Sequence, residues 1–342
     1  MSVAESMTEE SAWREIPVLD MGPLLAGTPG AQEKLAADLR RACTDIGFFY
    51  VANHGVPQEL VDSVFAQVAR FHARPLEEKL KLKINRDNIG YLPMAASTVV
   101  STTIETNNKP AQNEALFVKN DPDPNDPRLH AGVEFYGNNQ WPEEMPGFRE
   151  TILDYCDQLN TLALRLLPAY SQAMDMPADW LPNHPAFAAP LFRLRMSHYP
   201  PRPDFANDGF GAPPHTDFGF LTILAQSEVP GLEIRNRDGS WLKAPVMPGH
   251  FLVNTADICM RLSNDRLVST PHRVVNASPV DRYAIPFFWN PAPECELAVA
   301  PSCIAPGDHA HYEPFTYGGY FRMRITKNYH HQNDKDGAGK TG

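Results

Sequence analysis

From Leu191 to about Val299 the chain is cut into short β-rich runs by Pro, Gly, Asn and Asp, and this texture constrains the fold more than any other feature. Phe220-Leu221-Thr222-Ile223-Leu224, Leu232-Glu233-Ile234, His250-Phe251-Leu252-Val253 and Tyr283-Ala284-Ile285-Pro286-Phe287-Phe288 are each about one strand long, with turn-forming residues between them. Strands this short bury their apolar faces by closing on one another. The spacing therefore predicts a mainly β core of the sandwich, barrel or jelly-roll kind, with helices packed against it.

Upstream of that region the apolar period becomes helical. Leu35, Leu39, Ala42, Cys43 and Ile46 mark one face of an amphipathic helix that Gly47 can end. Residues 16–20 and 48–51 read as short buried strands on either side of it. Asn53-His54-Gly55 is turn-like, and Pro57 opens a helix expected to bury Leu60, Val61, Val64, Phe65, Val68 and Phe71. Residues 85–146, rich in Asn, Asp, Pro and Gly, predict surface loops and short strands. A long helix follows, with Ile152, Tyr155, Cys156, Leu159, Leu162, Ala163 and Leu166 on one face, and Pro168 should kink or end it. A last helix is expected between His309 and Tyr329. The resulting plan is one structural unit: a flexible tail over 1–15, a helical and loop region over 16–185, a β core over 186–300, a helical extension over 301–330 and a second flexible tail over 331–342.

Composition narrows the function. A net charge of −11 over 342 residues supplies no basic footprint, which argues against nucleic acid as a partner. The N-terminus has no apolar signal segment and no stretch is long and apolar enough for a membrane span, so a chain neither exported nor membrane-bound is expected. Five widely spread cysteines without a CxxC pair read as reduced thiols of a cytoplasmic protein.

The segment Pro213-Pro214-His215-Thr216-Asp217 stands just before an apolar β run. In an extended chain, residues 215 and 217 project to the same face, so an imidazole and a carboxylate converge. Ser269-Thr270-Pro271-His272 offers a second imidazole beside another strand. Two His and one carboxylate on one face of an octahedron leave three positions open, the arrangement of non-haem Fe(II) oxygenases. An H-x-D triplet alone is common by chance, and its weight comes from its companions. Arg282 interrupts an apolar strand, where its planar fork needs a carboxylate, either a ligand's or a protein Asp or Glu. Tyr199 can donate a phenolic hydrogen bond, as can many core tyrosines.

Taken together, these residues resemble the 2-oxoglutarate-dependent Fe(II) dioxygenase superfamily, in the branch similar to isopenicillin N synthase and the plant flavonoid and gibberellin oxygenases. The resemblance spans nearly the whole chain, through residues 16–20, 45–56, His198-Tyr199-Pro200-Pro201, His215-Thr216-Asp217, residues 253–257, Leu262-Ser263-Asn264 and His272-Arg273-Val274. It implies a distorted jelly roll, a cupin-like double-stranded β-helix. It implies His215, Asp217 and His272 as iron ligands, with Arg282 and Tyr199 holding 2-oxoglutarate. O2 is the implied co-substrate, with ascorbate as a possible reductant, and succinate and CO2 are released. Arg195 and Phe288 stand where similar enzymes face a small-molecule substrate, and Phe117 lies in a variable segment suited to a pocket wall. His54 belongs to a structural turn.

Two positions depart from the family pattern. Ala284 stands where the family usually carries Ser two residues after the arginine, and Ser197 where it often carries Asn. The rival readings are an isopenicillin N synthase-like oxidase that needs no 2-oxoglutarate and a non-catalytic metal or ligand-binding protein of the same fold. Hydroxylation, desaturation and ring formation all remain open, as do substrate identity and oligomeric state.

Overall fold

The β-rich runs close into two facing sheets and one short two-stranded pair, which the computed structural model describes within residues 15–96, 110–202 and 210–328. The first half of the chain forms β1 (Val18–Asp20), α1 (Gly22–Leu25), α2 (Ala31–Asp45), β2 (Phe48–Ala52), α3 (Gln58–His72), α4 (Leu76–Leu80), β3 (Gly90–Leu92), β4 (Glu114–Lys119), α5 (Pro127–His130) and α6 (Phe148–Ala173). The second half adds β5 (Leu191–Tyr199), β6 (Ala212–His215), β7 (Leu221–Gln226), β8 (Leu232–Arg235), β9 (Trp241–Lys243), β10 (Phe251–Thr255), α7 (Asp257–Leu262), β11 (His272–Val274), β12 (Arg282–Asn290), β13 (Glu296–Leu297), β14 (Phe315–Thr316) and α8 (Tyr317–Asn328).

The large sheet has the order β1-β2-β10-β7-β12-β5-β4-β3 and the small one β6-β11-β8-β9. Phe48, Tyr50, Tyr199, Leu232, Ile234, Leu252 and Val274 form a core drawn from both sheets, so the two pack face to face as a jelly roll. The other face of the large sheet carries a bigger core shared with α2, α3 and α6. Each Leu or Ile buried in that stripe, such as Ile152, Leu159 and Leu162, contributes about 1.5–3 kcal/mol.

Gly47 ends α2 as its position predicts, and its setting adds a second reason for glycine. Its φ is +71°, and a Cβ there would stand 2.5 Å from the Val268 carbonyl, in the segment leading to His272. The α3 helix buries Val61, Val64, Val68 and Phe71, while Leu60 and Phe65 are only partly covered.

One expectation is narrowed and two are corrected. Of the two outcomes expected at Pro168, the helix ending there is excluded, since α6 runs through it to Ala173. The proline removes one bond to the Leu164 carbonyl, but Leu164 lies on the exposed side where water can replace it, and the buried stripe on both sides holds the helix. Within the supposed surface region, β4 is buried at every residue, because Leu116 and Val118 join the main core on one face and Ala115 and Phe117 join a smaller apolar cluster on the other. Helix begins at Tyr317 rather than near His309; the preceding residues form irregular chain and β14, which pairs with β13. The expected flexible tails lie, apart from Glu15, outside the described residues.

Candidate active site

The strands β6 and β11 pair antiparallel with His272 directly opposite His215. Asp217 follows two residues past the end of β6, so alternation returns its carboxylate to the same face. One ligand atom from each of His215, Asp217 and His272 lies within 4.8 Å of the others. The Nε2 atoms of the two imidazoles stand 3.8 and 3.7 Å from Asp217 Oδ1, too far for hydrogen bonds.

The backbone sets the tautomers. His215 Nδ1–H donates to the Pro213 carbonyl at 2.7 Å and His272 Nδ1–H to the Thr270 carbonyl at 3.1 Å, leaving both Nε2 lone pairs aimed at the shared point. Asp217 Oδ2 accepts from Thr222 Oγ1 at 2.6 Å and Asn254 Nδ2 at 2.9 Å, which fixes the carboxylate and leaves Oδ1 free. Burial, with His272 alongside, pushes His215 down to about 4, so it is a neutral ligand at neutral pH. Burial acts to raise Asp217, but the two imidazoles and its hydrogen bonds outweigh this and lower it. Two imidazoles and one carboxylate, on one side of an open space, are a donor set suited to Fe(II).

Behind the triad, the same cavity reaches Arg282, Tyr199, Ser197 and Ala284. Arg282 is 1% exposed, and its Nε and Nη1 have no hydrogen-bond partner. Burial pulls its pKa below the usual arginine value, and its guanidinium lies 4.7 Å from the centre of the Tyr199 ring. The adjacent Asp281 turns to the other side and pairs with His198 Nε2 at 2.7 Å. Among the described residues no protein carboxylate takes the arginine's fork, so the reading in which a protein Asp or Glu pairs with it is not realised. A buried cation with two empty donor positions fits a ligand carboxylate.

In front of the triad lies a second pocket, walled by Phe117, Arg195, Phe218, Phe288, Tyr317 and Phe321. The three substrate-facing candidates therefore meet in one place: Phe117 on β4 is opposite Arg195 on β5, and Phe288 stands on neighbouring β12. Arg195 Nη2 donates to Asn113 Oδ1 at 2.6 Å, its Nε is buried without a partner, and its Cζ stands 5.3 Å from the Phe117 ring centre. Sequence reasoning missed Thr222 and Asn254, although a lone Asn after Phe251-Leu252-Val253 is the kind of buried polar residue that needs a partner. It also missed Tyr317 and Phe321, spaced four apart on α8. His54 is buried against Phe251, its Nδ1 accepting from the Val56 N–H at 3.1 Å, away from the site.

A second His–carboxylate group, His72, Glu114 and His198, also draws its ligand-type atoms together. Here the carboxylate is already occupied. Lys79 Nζ lies 2.8 Å from Glu114 Oε2, His198 Nδ1 2.7 Å from Oε1, and the Tyr91 hydroxyl donates to the same group.

Comparison with known proteins agrees with this geometry. Residues 16–144 match the family of the non-haem dioxygenase in morphine synthesis N-terminal region, and residues 190–291 match the 2OG-Fe(II) oxygenase superfamily. The chain is 33% identical over 323 residues to the 2-oxoglutarate-Fe(II) type oxidoreductase hxnY of Emericella nidulans, covering 92% of this chain and 90% of that one. It is 32% identical to kihadalactone A synthase LFS of Citrus sinensis, covering 91% and 93%. Among solved structures, a Neurospora crassa protein in complex with alpha-KG and thymine superposes with a TM-score of 0.78 at 25% identity, covering 91% and 96%. The triad, the waiting arginine and these likenesses agree: the chain belongs to the 2-oxoglutarate–Fe(II) oxygenase superfamily, as a dioxygenase that uses iron, O2 and 2-oxoglutarate.

Proposed function

We propose that this dioxygenase oxidises a small, flat, anionic organic molecule, seated against Phe117 and Phe288 with its negative group on Arg195. His215, Asp217 and His272 would hold the iron, and Arg282 with Tyr199 would hold the distal carboxylate of 2-oxoglutarate. Bound iron supplies open positions for the keto acid and O2 and the oxidising power for the reaction.

The charge balance carries the substrate reading. Iron(II), the Asp217 carboxylate, the 2-oxoglutarate dianion and Arg282 together sum to zero. Arg193 and Arg195 both line the same space and leave surplus positive charge for the substrate to meet, and Arg195 has an unused Nε donor. The aromatic walls favour a planar partner. Kihadalactone A synthase, by its name, makes a small molecule, and the thymine-bound Neurospora protein holds one. Ala284 supplies no hydroxyl, so Arg282 and Tyr199 carry the keto acid's far end between them. Five free cysteines, four of them buried, support a reducing cytoplasmic setting.

Succinate formation and O2 uptake, followed with panels of aromatic carboxylates and their uncharged amides, test the proposal. Carboxylates should stimulate turnover, and Arg195→Met should remove their advantage over the amides. Equal stimulation by both would defeat the anionic reading, and substrate loss at an undiminished rate without 2-oxoglutarate would defeat the co-substrate assignment.

A further inference from the structure

One buried carboxylate, Asp257, reaches three separate parts of the site without touching the metal position. It opens α7 and is 2% exposed. Its backbone N–H donates to the Asp217 carbonyl at 3.0 Å. Its Oδ1 accepts from Ser269 Oγ at 2.7 Å, in the turn whose Thr270 carbonyl orients His272. Its Oδ2 accepts from Tyr320 OH and Arg324 Nη1, both at 2.6 Å, and lies 3.4 Å from the Thr216 hydroxyl, between the first two ligands. Arg324 itself lies over the Phe218 ring at 4.2 Å.

Among the described residues the other polar attachments of α8 are few: Arg324 Nη2 also reaches Thr216 Oγ1 at 3.4 Å, and the Arg261 guanidinium lies 4.6 Å from the centre of the Tyr320 ring. Gly318 N–H reaches the Pro293 carbonyl at 2.9 Å, and Arg322 forms an exposed pair with Glu134 at 3.2 Å. Yet α8 supplies Tyr317 and Phe321 to the substrate pocket wall. The ligand-bearing loop, the His272 turn and the pocket wall therefore share one anion.

We propose that Asp257 is a positioning residue that couples the iron ligands to α8, so that loading the metal site orders the substrate wall, and an ordered wall in turn tightens the metal site. The reciprocity is thermodynamic: whatever factor metal binding applies to α8 order, α8 order applies to metal binding. The inference rests on the iron site and is independent of the proposed anionic substrate.

The test is hydrogen exchange on the full chain, without metal and with Co(II) plus N-oxalylglycine, an inert analogue of 2-oxoglutarate. In the native protein, loading should protect amides of residues 317–328 as well as those of residues 215–222. In Arg324→Met the gain at residues 317–328 should vanish while the gain at residues 215–222 stays, and Co(II) should bind roughly 5-fold more weakly. Asp257→Asn, which loosens both loops, should weaken Co(II) roughly 10-fold or more. Arg324→Lys, which keeps the charge, should recover part of the α8 protection and serves if the methionine variant folds poorly. An α8 gain unchanged in Arg324→Met, or absent from the native protein despite bound Co(II), overturns the coupling. Failure of the native protein to bind Co(II) would instead overturn the iron assignment beneath it.

Discussion

Asp217 and Glu114 each sit between two histidines in the interior, yet they are built for opposite ends. Asp217 has one oxygen satisfied by Thr222 and Asn254 and the other left open beside two imidazole lone pairs. Glu114 accepts from Lys79, Tyr91 and His198, with His72 Nδ1 3.3 Å away, and these donors hold it well below the usual carboxylate range against the opposing effect of burial. The residue types are nearly the same. What separates a metal centre from a structural charge cluster is which lone pairs the protein leaves unused, and that is decided by second neighbours.

The comparison can be broken most decisively at the ligands. His215→Ala should abolish iron binding and succinate production while leaving a folded protein, read by metal titration and circular dichroism; retained turnover would disqualify the triad. Next in size, Glu114→Ala should cost about 3–5 kcal/mol of stability in urea unfolding, because it strands the buried Lys79 ammonium. Iron affinity of the folded fraction should stay at the native value. If Glu114→Ala instead lost iron with little loss of stability, the roles of the two clusters would be reversed.

A smaller effect is expected at Arg282. Arg282→Met should weaken 2-oxoglutarate binding by about 1.5–3 kcal/mol, seen as a raised KM for the keto acid. It should also leave the unloaded protein no less stable, because a buried cation with unused donors is removed. A fall in stability with KM unmoved would show that the arginine serves the fold. The smallest effect concerns pH. Burial opposes the charged form of His198, but Glu114 and Asp281 on either side outweigh it and raise its pKa, with His72 and Lys79 nearby on α3 and α4. A raised histidine stabilises fully below its unfolded value of about 6.5, and that stabilisation fades as pH climbs through the folded value. The urea midpoint should therefore decline over that window, and His198→Gln should flatten the decline.

The convergence of His215 and Asp217 was legible in the sequence because its geometry is local: residues 215 and 217 share a face by strand alternation. His272 joins them only through the pairing of β6 with β11, and was picked out by its place after a Pro beside a strand and by the family resemblance. The strands β7, β8, β10 and β12 and the helices α2 and α3 were legible because burial imprints a period on the chain. The Glu114 cluster was not, since its partners at positions 72, 79, 91 and 198 meet only through sheet pairing and helix packing. Asp257 was hidden for the same reason, its partners lying at 216, 269, 320 and 324. Pro168 does not end α6 because tertiary burial of the whole stripe outweighs the local effect of the proline ring, which the sequence alone could not weigh.

The strand β5 presents Arg195, Ser197 and Tyr199 to the cavities on one side and Leu194, Met196 and His198 to the helical side on the other. Neighbours one residue apart thus serve unrelated tasks. Inserting or deleting a single residue inside this strand would exchange the two sets at once, sending hydrocarbon toward the co-substrate and an arginine into the oily interior. For anyone recombining this chain with a relative, crossovers and length changes are to be placed before Leu191 or after Tyr199.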